Sequence, residues 1–318
     1  MGTAGSIEGF WAWWDEARHR VDAAIADHTL PAMAEEISGA VHAIDPELEW
    51  ELGPGTQARH VLTVTCAGKP AQRATAERWR LAGPPADATW EYASTRPRHV
   101  GPEAPVLRLG PHELPLDQVR FGADLDPDRR LIDVVVHHPA FADLDEDACH
   151  TVSFLSLDWA LGEDGVERWV GQILPSPDEP TSPVDVDGLR QAIDALAAEH
   201  REDTWSLLQG TTPGGDQILV RALRPLKPID HPLLDALVRI DVPLPDGLDG
   251  GGDLLDRLHD LEEALVARFE GRALLVAVVT TQRSRTVHLY ADAESPTPGE
   301  IQRFESPWVR WRLLTLET

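Results

Sequence analysis

Cysteine is scarce in this chain, with Cys66 and Cys149 the two present in 318 residues. Neither has a second cysteine near it in sequence, so the CxxC pairs used by redox motifs and by most zinc-binding frameworks are absent. An isolated free cysteine usually behaves as a small apolar residue. We therefore predict two buried thiols with a structural role.

Cations are also few relative to anions. The 28 Lys and Arg residues against 54 Asp and Glu give a formal net charge of 28 − 54 = −26. Binding to duplex nucleic acid requires clustered cations that neutralise phosphates, so this balance excludes that class of partner. One stretch, 268–312, holds seven arginines against five acids. The positive charge of this stretch could orient a partner, or its arginines could be distributed over solvated strand faces. We favour the second interpretation.

Long apolar runs and leader features are missing as well. Residues 1–10 lack the basic start and apolar run of a signal peptide. The longest strongly apolar run, Leu274–Val279, has the length of a strand and falls far short of the ~18 residues that a membrane helix needs. The start Met1-Gly2, followed by Ser6, formally matches a myristoylation motif. The 26 Arg against 2 Lys indicate a bacterial gene, in which that modification is not expected. We predict a cytoplasmic protein without a membrane segment.

Common catalytic signatures do not occur: the chain has no G-x-S-x-G, P-loop, G-x-G-x-x-G or H-E-x-x-H motif. The nearest glycine-rich element is Gly250 to Gly252, ahead of a predicted helix whose N-terminus could hold an anion. The flanking acids Asp246, Asp249, Asp253 and Asp256 would repel a phosphate. We interpret this element as a flexible helix entry with Asp253 as the N-cap.

Three alternating acids, Asp124, Asp126 and Asp128, suggest a calcium site. An EF-hand loop requires Gly at its sixth position and Glu at its twelfth, where this chain has Arg129 and Val135. We favour a polar turn between two strands.

His137 and His138 end a predicted strand and are candidate metal ligands. Adjacent residues of a strand point to opposite faces, so the two cannot readily chelate one metal ion. A site would require the fold to add His60, Asp133 or His150, and ordinary hydrogen bonds are the simpler interpretation. From the sequence we assign no catalytic, cofactor-binding or metal-ligating residue, and no cofactor.

Tryptophan supplies 11 of the 19 aromatic residues. Trp11, Trp13 and Trp14 cannot all face one side of a helix. They indicate either the buried start of a first helix or, as the alternative, a docking surface.

The fold class that the pattern predicts is α+β, as two α/β-sandwich domains. Pro175, Pro177, Pro180 and Pro183 resist both helix and central strand. We therefore predict an N-terminal α+β domain over 1–174, a Pro-rich linker over 175–186 and a C-terminal α+β domain over 187–318. From Leu237 onward the predicted elements run β-α-β-β-α-β, the ferredoxin-like order.

The two halves align without gaps at a constant offset of 104 residues. Val134 falls on Val238, and Leu157 falls on Leu261. Both segments predict strand, loop, helix and strand. A duplication is one explanation for the identical residues, and the shared amphipathic pattern of the two helices is the other.

Two stretches of the second half carry a family resemblance. They are Leu237-Val-Arg-Ile-Asp-Val-Pro-Leu-Pro-Asp-Gly-Leu248, followed by Leu258-x-x-Leu261-Glu262, and Thr280-Thr-x-x-x-Arg285-x-x-His288-x-Tyr290. Together they resemble the bacterial domain-of-unknown-function family 695, over about 203–318. The resemblance implies a compact α+β domain without an established reaction. That family's fold is similar to the B-type regulator of ribonuclease E activity, an acidic protein that inhibits a nuclease by binding it, which is an analogy of fold only.

These observations favour a non-catalytic, acidic protein-binding or regulatory module. The expected partner is a protein, and the acidic surface favours a basic one, because complementary potentials speed association. Two alternatives stay open: a hydrolase-type enzyme that uses Asp124, His137 or His288 in an interdomain cleft, and an immunity protein that neutralises a toxin.

Overall fold

The computed structural model describes residues 3–99, 101, 104–200, 204–244, 252–304 and 312–317, with the backbone alone for 252 and 312–317. The predicted glycine-rich helix entry at Gly250 and Gly251, the acids Asp246 and Asp249, and the start Met1-Gly2 lie outside the described residues.

Helices and strands both contribute to the fold. The helices are α1 (Thr3–Ala26), α2 (Ala34–His42), α3 (Arg73–Ala82), α4 (Glu146–Trp169), α5 (Val186–Glu199), α6 (Gly252–Arg268) and α7 (Thr297–Gln302). The strands are β1 (Glu49–Pro54), β2 (His60–Thr65), β3 (Trp90–Ala93), β4 (Val106–Leu109), β5 (His112–Pro115), β6 (Arg120–Asp126), β7 (Leu131–His137), β8 (Val170–Ser176), β9 (Thr204–Thr211), β10 (Gln217–Arg224), β11 (Ala236–Pro243), β12 (Ala273–Thr280), β13 (Ser284–Ala291) and β14 (Arg312–Glu317). The predicted α+β class is confirmed.

The chain forms two compact units, Met1–Arg201 and Glu202–Thr318. This division differs from the predicted one, because the Pro-rich stretch 175–186 lies inside the first unit. Its end is held there by a backbone bridge between Val184 and Phe121. Helix α5 then packs on α4, and three of its residues are buried in the core of the first unit: Leu189, Ile193 and Leu196. The prolines therefore form a loop that returns the chain to its own core.

The first unit contains two three-stranded sheets among its described residues. In one the order is β1-β2-β3, with β2 and β3 parallel, and in the other it is β6-β7-β8, with β7 and β8 parallel. A second segment with several prolines, residues 97–115, precedes β6 and contains the small β4-β5 hairpin. Each larger sheet has its own apolar core, covered by α1 to α3 in the first case and by α4 and α5 in the second.

The sequence pattern predicts a helix over Asp145–Leu161 with Gly162 at its end, and α4 does break there before a second helical segment continues to Trp169. Gly162 has a φ of +73° that an L side chain rarely adopts. A Cβ at this position would lie 2.6 Å from the backbone nitrogen of Arg98. The apolar run Val166–Leu174 predicts a strand, but β8 begins only at Val170, because the residues before it continue α4.

The second unit is built on one antiparallel sheet with the strand order β14-β11-β13-β12-β10-β9. From β11 to β14 the elements follow the predicted order β-α-β-β-α-β. Helices α6 and α7 cover one face of this sheet, and the core between the helices and the sheet includes Leu261 and Leu265. Strands β9 and β10 extend the sheet beyond β12, so β9 is its outermost strand on that side.

The segments compared for duplication differ in sheet arrangement. Both run strand, helix, strand, and the aligned leucines, Leu157 in the first segment and Leu261 in the second, are both buried. However, β7 and β8 are neighbours in their sheet, whereas β13 lies between β11 and β12. The shared spacing thus corresponds to a shared helix face and not to the same pairing of strands.

Candidate functional site

Strand β9 is an edge strand with none of the usual features that prevent further pairing. Its sequence, Thr204 to Thr211, contains no charged residue and no proline, and its register with β10 runs without a bulge. Natural edge strands are normally short, charged, bulged or covered, because their free backbone groups are a template for another strand. Within the described ranges, no strand pairs with the outer edge of β9.

Large apolar side chains of β9 are exposed on both faces of the sheet. Leu207 is 65% exposed, Leu208 46% and Trp205 44%. Alternation along the strand places Trp205 and Leu207 on the face that α6 covers, and Leu208 on the opposite face. Trp205 and Leu207 are thus exposed two positions apart on one face, and neighbouring exposed apolar side chains often mark an interaction surface.

The direction of the free backbone groups follows from the turn that joins β9 to β10. The N–H of Thr212 donates to the carbonyl of Asp216 at 2.8 Å, which makes these two residues a hydrogen-bonded pair. In an antiparallel ladder such pairs alternate with pairs whose backbone groups point outward. The outward N–H and C=O groups of β9 therefore belong to Trp205, Leu207, Gln209 and Thr211.

A groove of about 350 Å³ adjoins this edge on the α6 side. Its apolar surface comes from Trp205 and Leu275 of the sheet and from Val266 and Ala267 of α6. The remaining lining residues are polar or charged: Arg221, His259, Glu262, Glu263 and Glu270.

A buried ion-pair triad forms the polar base of the groove. Glu262 lies on the buried face of α6, and its side chain is 4% exposed. One carboxylate oxygen accepts from Arg221, and the other accepts from Nε of Arg285 at 2.8 Å and from its Nη2. The Arg221 guanidinium also lies 4.7 Å from the ring centroid of Trp205. The triad thus fixes Arg221, and Arg221 in turn supports the indole on the strand edge.

The outer wall of the groove is acidic. Glu263 bonds to His259 at 3.1 Å, one turn earlier on α6. Glu270 is exposed and forms no ion pair with a cation in the described part of the chain. The lining charges, with His259 neutral, sum to 1 − 3 = −2, in a chain whose net charge is −26.

The predicted aspartate triplet forms a turn. Asp126 Oδ1 accepts from the N–H groups of Asp128 and Arg129, at 3.0 and 2.9 Å, as an Asx turn requires. Asp124 pairs across the ladder with Asp133, and Arg120 pairs with His137. Asp124 and His137 are therefore separated by roughly 13 Å along the β6-β7 pair, at 3.3 Å per residue.

The candidate histidines form separate hydrogen bonds. His138 is buried; its Nδ1 accepts from Ala140 N at 3.1 Å, so the 3.2 Å contact of Nε2 with Pro115 O is a donation. Burial lowers the pKa of His138, which fits a neutral imidazole. His137 bonds to the Ser176 carbonyl, and His60 to Asp22 at 3.0 Å.

The two other candidate histidines, His150 and His288, are partly buried. Burial, with a smaller contribution from Arg239, lowers the pKa of His288. In the described part of the chain, no three His, Cys, Asp or Glu side chains converge to hold a metal ion.

A second ionic cluster lies at the break in α4. Buried Glu163 accepts from Thr65 Oγ1, from Gly68 N at 3.2 Å and from Arg96 N at 3.2 Å. Arg96 also pairs with Asp158, whose pKa is raised to about 6 by burial. Both Glu163 oxygens are occupied by groups of this chain, so the cluster joins the two halves of the first unit and leaves the carboxylate no site for a ligand.

The thiols and the tryptophans of the first helix lie in the interior or at its edge. Both cysteines are free and buried, as predicted, and burial raises the pKa of each thiol. The Nε1 groups of Trp11, Trp13 and Trp14 donate to Trp79 O, Glu36 Oε1 and Tyr92 Oη respectively, at 2.9 to 3.0 Å. These contacts favour the buried-helix interpretation over a docking surface at this position.

The basic stretch 268–312 contributes ion pairs where it is described. Arg285 pairs with Glu262, and Arg272 with Glu300. Arg310 lies outside the described residues. None of the helices in the described ranges combines the length and the apolar content needed to cross a membrane.

A scan of the chain against protein-family models and searches among curated proteins and solved structures find no match. The resemblance to family 695, the hydrolase alternative and the immunity-protein alternative therefore stay predictions.

The sequence pattern did not predict β9 or its groove, although two signals pointed toward them. Glu262 interrupts the apolar stripe of Leu258, Leu261 and Leu265, and an acid on a buried helix face requires a cationic partner. The second signal is a charge-free run that contains Trp205 and two leucines. Its apolar residues do not alternate, so the pattern does not predict a strand there.

Proposed function

We propose that this chain is a protein-binding module whose second unit takes up an extended segment of a partner protein along β9. The observation that carries the proposal is the edge of β9, which pairs with no strand in the described part of the chain; β9 has eight residues without charge or proline and exposes three large apolar side chains. Strand addition to such an edge is a recurring mode of peptide recognition, in which backbone hydrogen bonds supply affinity and alternate side chains supply specificity.

The surrounding charge favours a basic partner over a second copy of this chain. Both the net charge of −26 and the acidic wall of the groove repel an identical molecule and attract a cationic one. Complementary potentials raise association rates and suppress like-charged partners. The expected occupant is therefore an extended, basic segment of another protein.

The test uses a fluorescein-labelled nine-residue peptide in which Val alternates with Arg, titrated against the full chain and followed by anisotropy. Two variants at one position form a matched pair: Leu207→Ala and Leu207→Pro both remove the side chain, but only proline removes the outward N–H. We expect saturable binding to wild type, weaker binding to Leu207→Ala and no binding to Leu207→Pro. The corresponding Val-Glu peptide should not bind.

Three results would contradict the proposal. One is equal binding of the Val-Arg peptide to Leu207→Pro and Leu207→Ala, because the outward N–H would then have no role. Another is absence of any binding to wild type. The third is a concentration-dependent dimer of wild type that Leu207→Pro dissolves in sedimentation experiments, since that would identify a second copy as the occupant of the edge.

A further inference from the structure

We infer that the groove between β9 and α6 is a specificity site for one arginine side chain of the partner segment. This inference rests on the proposed function and specifies its chemistry. An added strand would lie beside Trp205 and Leu207, whose side chains stand on the α6 face of the sheet. The residues of the added strand that point to the same face are then directed toward the groove.

The lining of the groove matches the two parts of an arginine side chain. Trp205, Val266, Ala267 and Leu275 provide an apolar surface for the methylene stem. Glu270, which no described cation neutralises, provides a carboxylate for the guanidinium. A planar guanidinium also suits a site bordered by an indole better than a compact ammonium does.

The other carboxylates of the groove already bond to side chains of this chain, which leaves Glu270 as the recognition group. Both oxygens of Glu262 are used by Arg221 and Arg285. Glu263 is bonded to His259. A ligand cation therefore gains a new partner only at Glu270, and Glu263 contributes at longer range.

The groove is tested apart from strand addition by a single-residue probe. The full chain is labelled with 5-fluorotryptophan, and the Trp205 signal in the ¹⁹F spectrum is assigned by its loss in Trp205→Phe. N-acetyl-arginine amide is then titrated beside N-acetyl-citrulline amide, which has the same shape and no charge. We expect the Trp205 signal to shift saturably with the arginine probe and not with the citrulline probe.

Two substitutions of exposed acids form the matched control. Glu270→Gln, in the turn that follows α6, removes the carboxylate of the groove, whereas Asp256→Asn removes an equal charge at an exposed position of α6 that does not line the groove. We expect Glu270→Gln to weaken the arginine probe about three-fold, the scale of an exposed ion pair, and Asp256→Asn to leave its affinity unchanged. An equal effect of both variants, or an equal response to citrulline, would overturn the inference.

The strand peptide separates this inference from the proposed function. If the Val-Arg peptide binds along β9 while the arginine probe does not shift Trp205, the strand-addition proposal stands and the arginine site is rejected. If the probe binds through Glu270 while the peptide is insensitive to Leu207→Pro, the arginine site stands and strand addition is rejected. If neither binds, both are rejected.

Discussion

Single residues with buried charge hold the candidate site together, and Glu262 is the central one. Its carboxylate pairs with two guanidiniums, of which Arg285 is 17% exposed and Arg221 38%. Removing one partner from a buried ionic group leaves the others desolvated without compensation. The same acid thus links the stability of the second unit to the position of Arg221 beneath Trp205.

Glu262→Gln should lower the free energy of unfolding by about 3 kcal/mol, because two partly buried arginines lose their shared charge partner. Urea denaturation monitored by circular dichroism measures the change. Glu263→Gln, next to it but exposed, is the control and should cost less than about 0.5 kcal/mol. Equal costs for the two variants would show that the triad does not stabilise the fold.

Asp158 should impose a specific pH dependence on the first unit. Burial raises its pKa from 3.8 to about 6, although the pairing with Arg96 opposes the shift. The folded chain therefore keeps a proton that the unfolded chain has lost, so the contribution to stability is present below about pH 3.8 and is lost as the pH rises through about 6.

Asp158→Asn isolates this contribution, since Asn does not titrate. The stability of wild type minus that of the variant should fall between pH 4 and 7, on the order of 1–3 kcal/mol for a pKa shift of this size. Urea denaturation at a series of pH values gives the difference directly. A difference that stays constant over this range would show that Asp158 titrates normally.

Local chemistry could be predicted from the sequence where the partners lie close along the chain. Asp126 forms the expected turn with Asp128 and Arg129, and Asp145 caps α4 by accepting from Ala148 N. The partners of Glu262 lie 41 and 23 residues away. Only the packing of α6 on the sheet brings those side chains together, so the sequence alone could not identify the triad.

At the scale of elements, the two that carry the main conclusions, α5 and β9, were not predicted. Helix α5 follows a cluster of prolines that resembles a linker, yet its apolar stripe completes the core of the first unit. Strand β9 lacks an alternating pattern because both of its faces are exposed. Hydrophobic periodicity reports burial of one face of an element, so a strand with both faces exposed does not show it.

The two edges of β9, the outer edge and the one paired with β10, should respond differently to proline. Leu207→Pro removes an outward N–H, which edge strands tolerate, and should cost less than about 1 kcal/mol. Leu208→Pro removes an N–H that points toward β10 and should cost about 3 kcal/mol or more. Thermal denaturation of both variants compares the costs. The reverse order would mean that the assigned phase of the ladder is wrong.

At the scale of the whole molecule, the division into Met1–Arg201 and Glu202–Thr318 decides which fragments can fold. A chain that ends at residue 201 keeps α5 on α4 and should unfold cooperatively. A chain that ends at residue 174 loses Leu189, Ile193 and Leu196 from its core and should not fold stably. Circular dichroism melts of both fragments test this prediction. A cooperative melt of the shorter fragment would show that the boundary between the two folding units lies in the Pro-rich stretch 175–186.

The most direct test of strand addition is amide hydrogen exchange, measured by NMR on the full chain with and without the Val-Arg peptide. The amides of Trp205, Leu207 and Gln209 point outward and should exchange rapidly in the free protein. On peptide addition they should become protected, while the amides of Ser206 and Leu208, already bonded to β10, change little. If these three outward amides gain no protection at saturating peptide, β9 is not the binding edge.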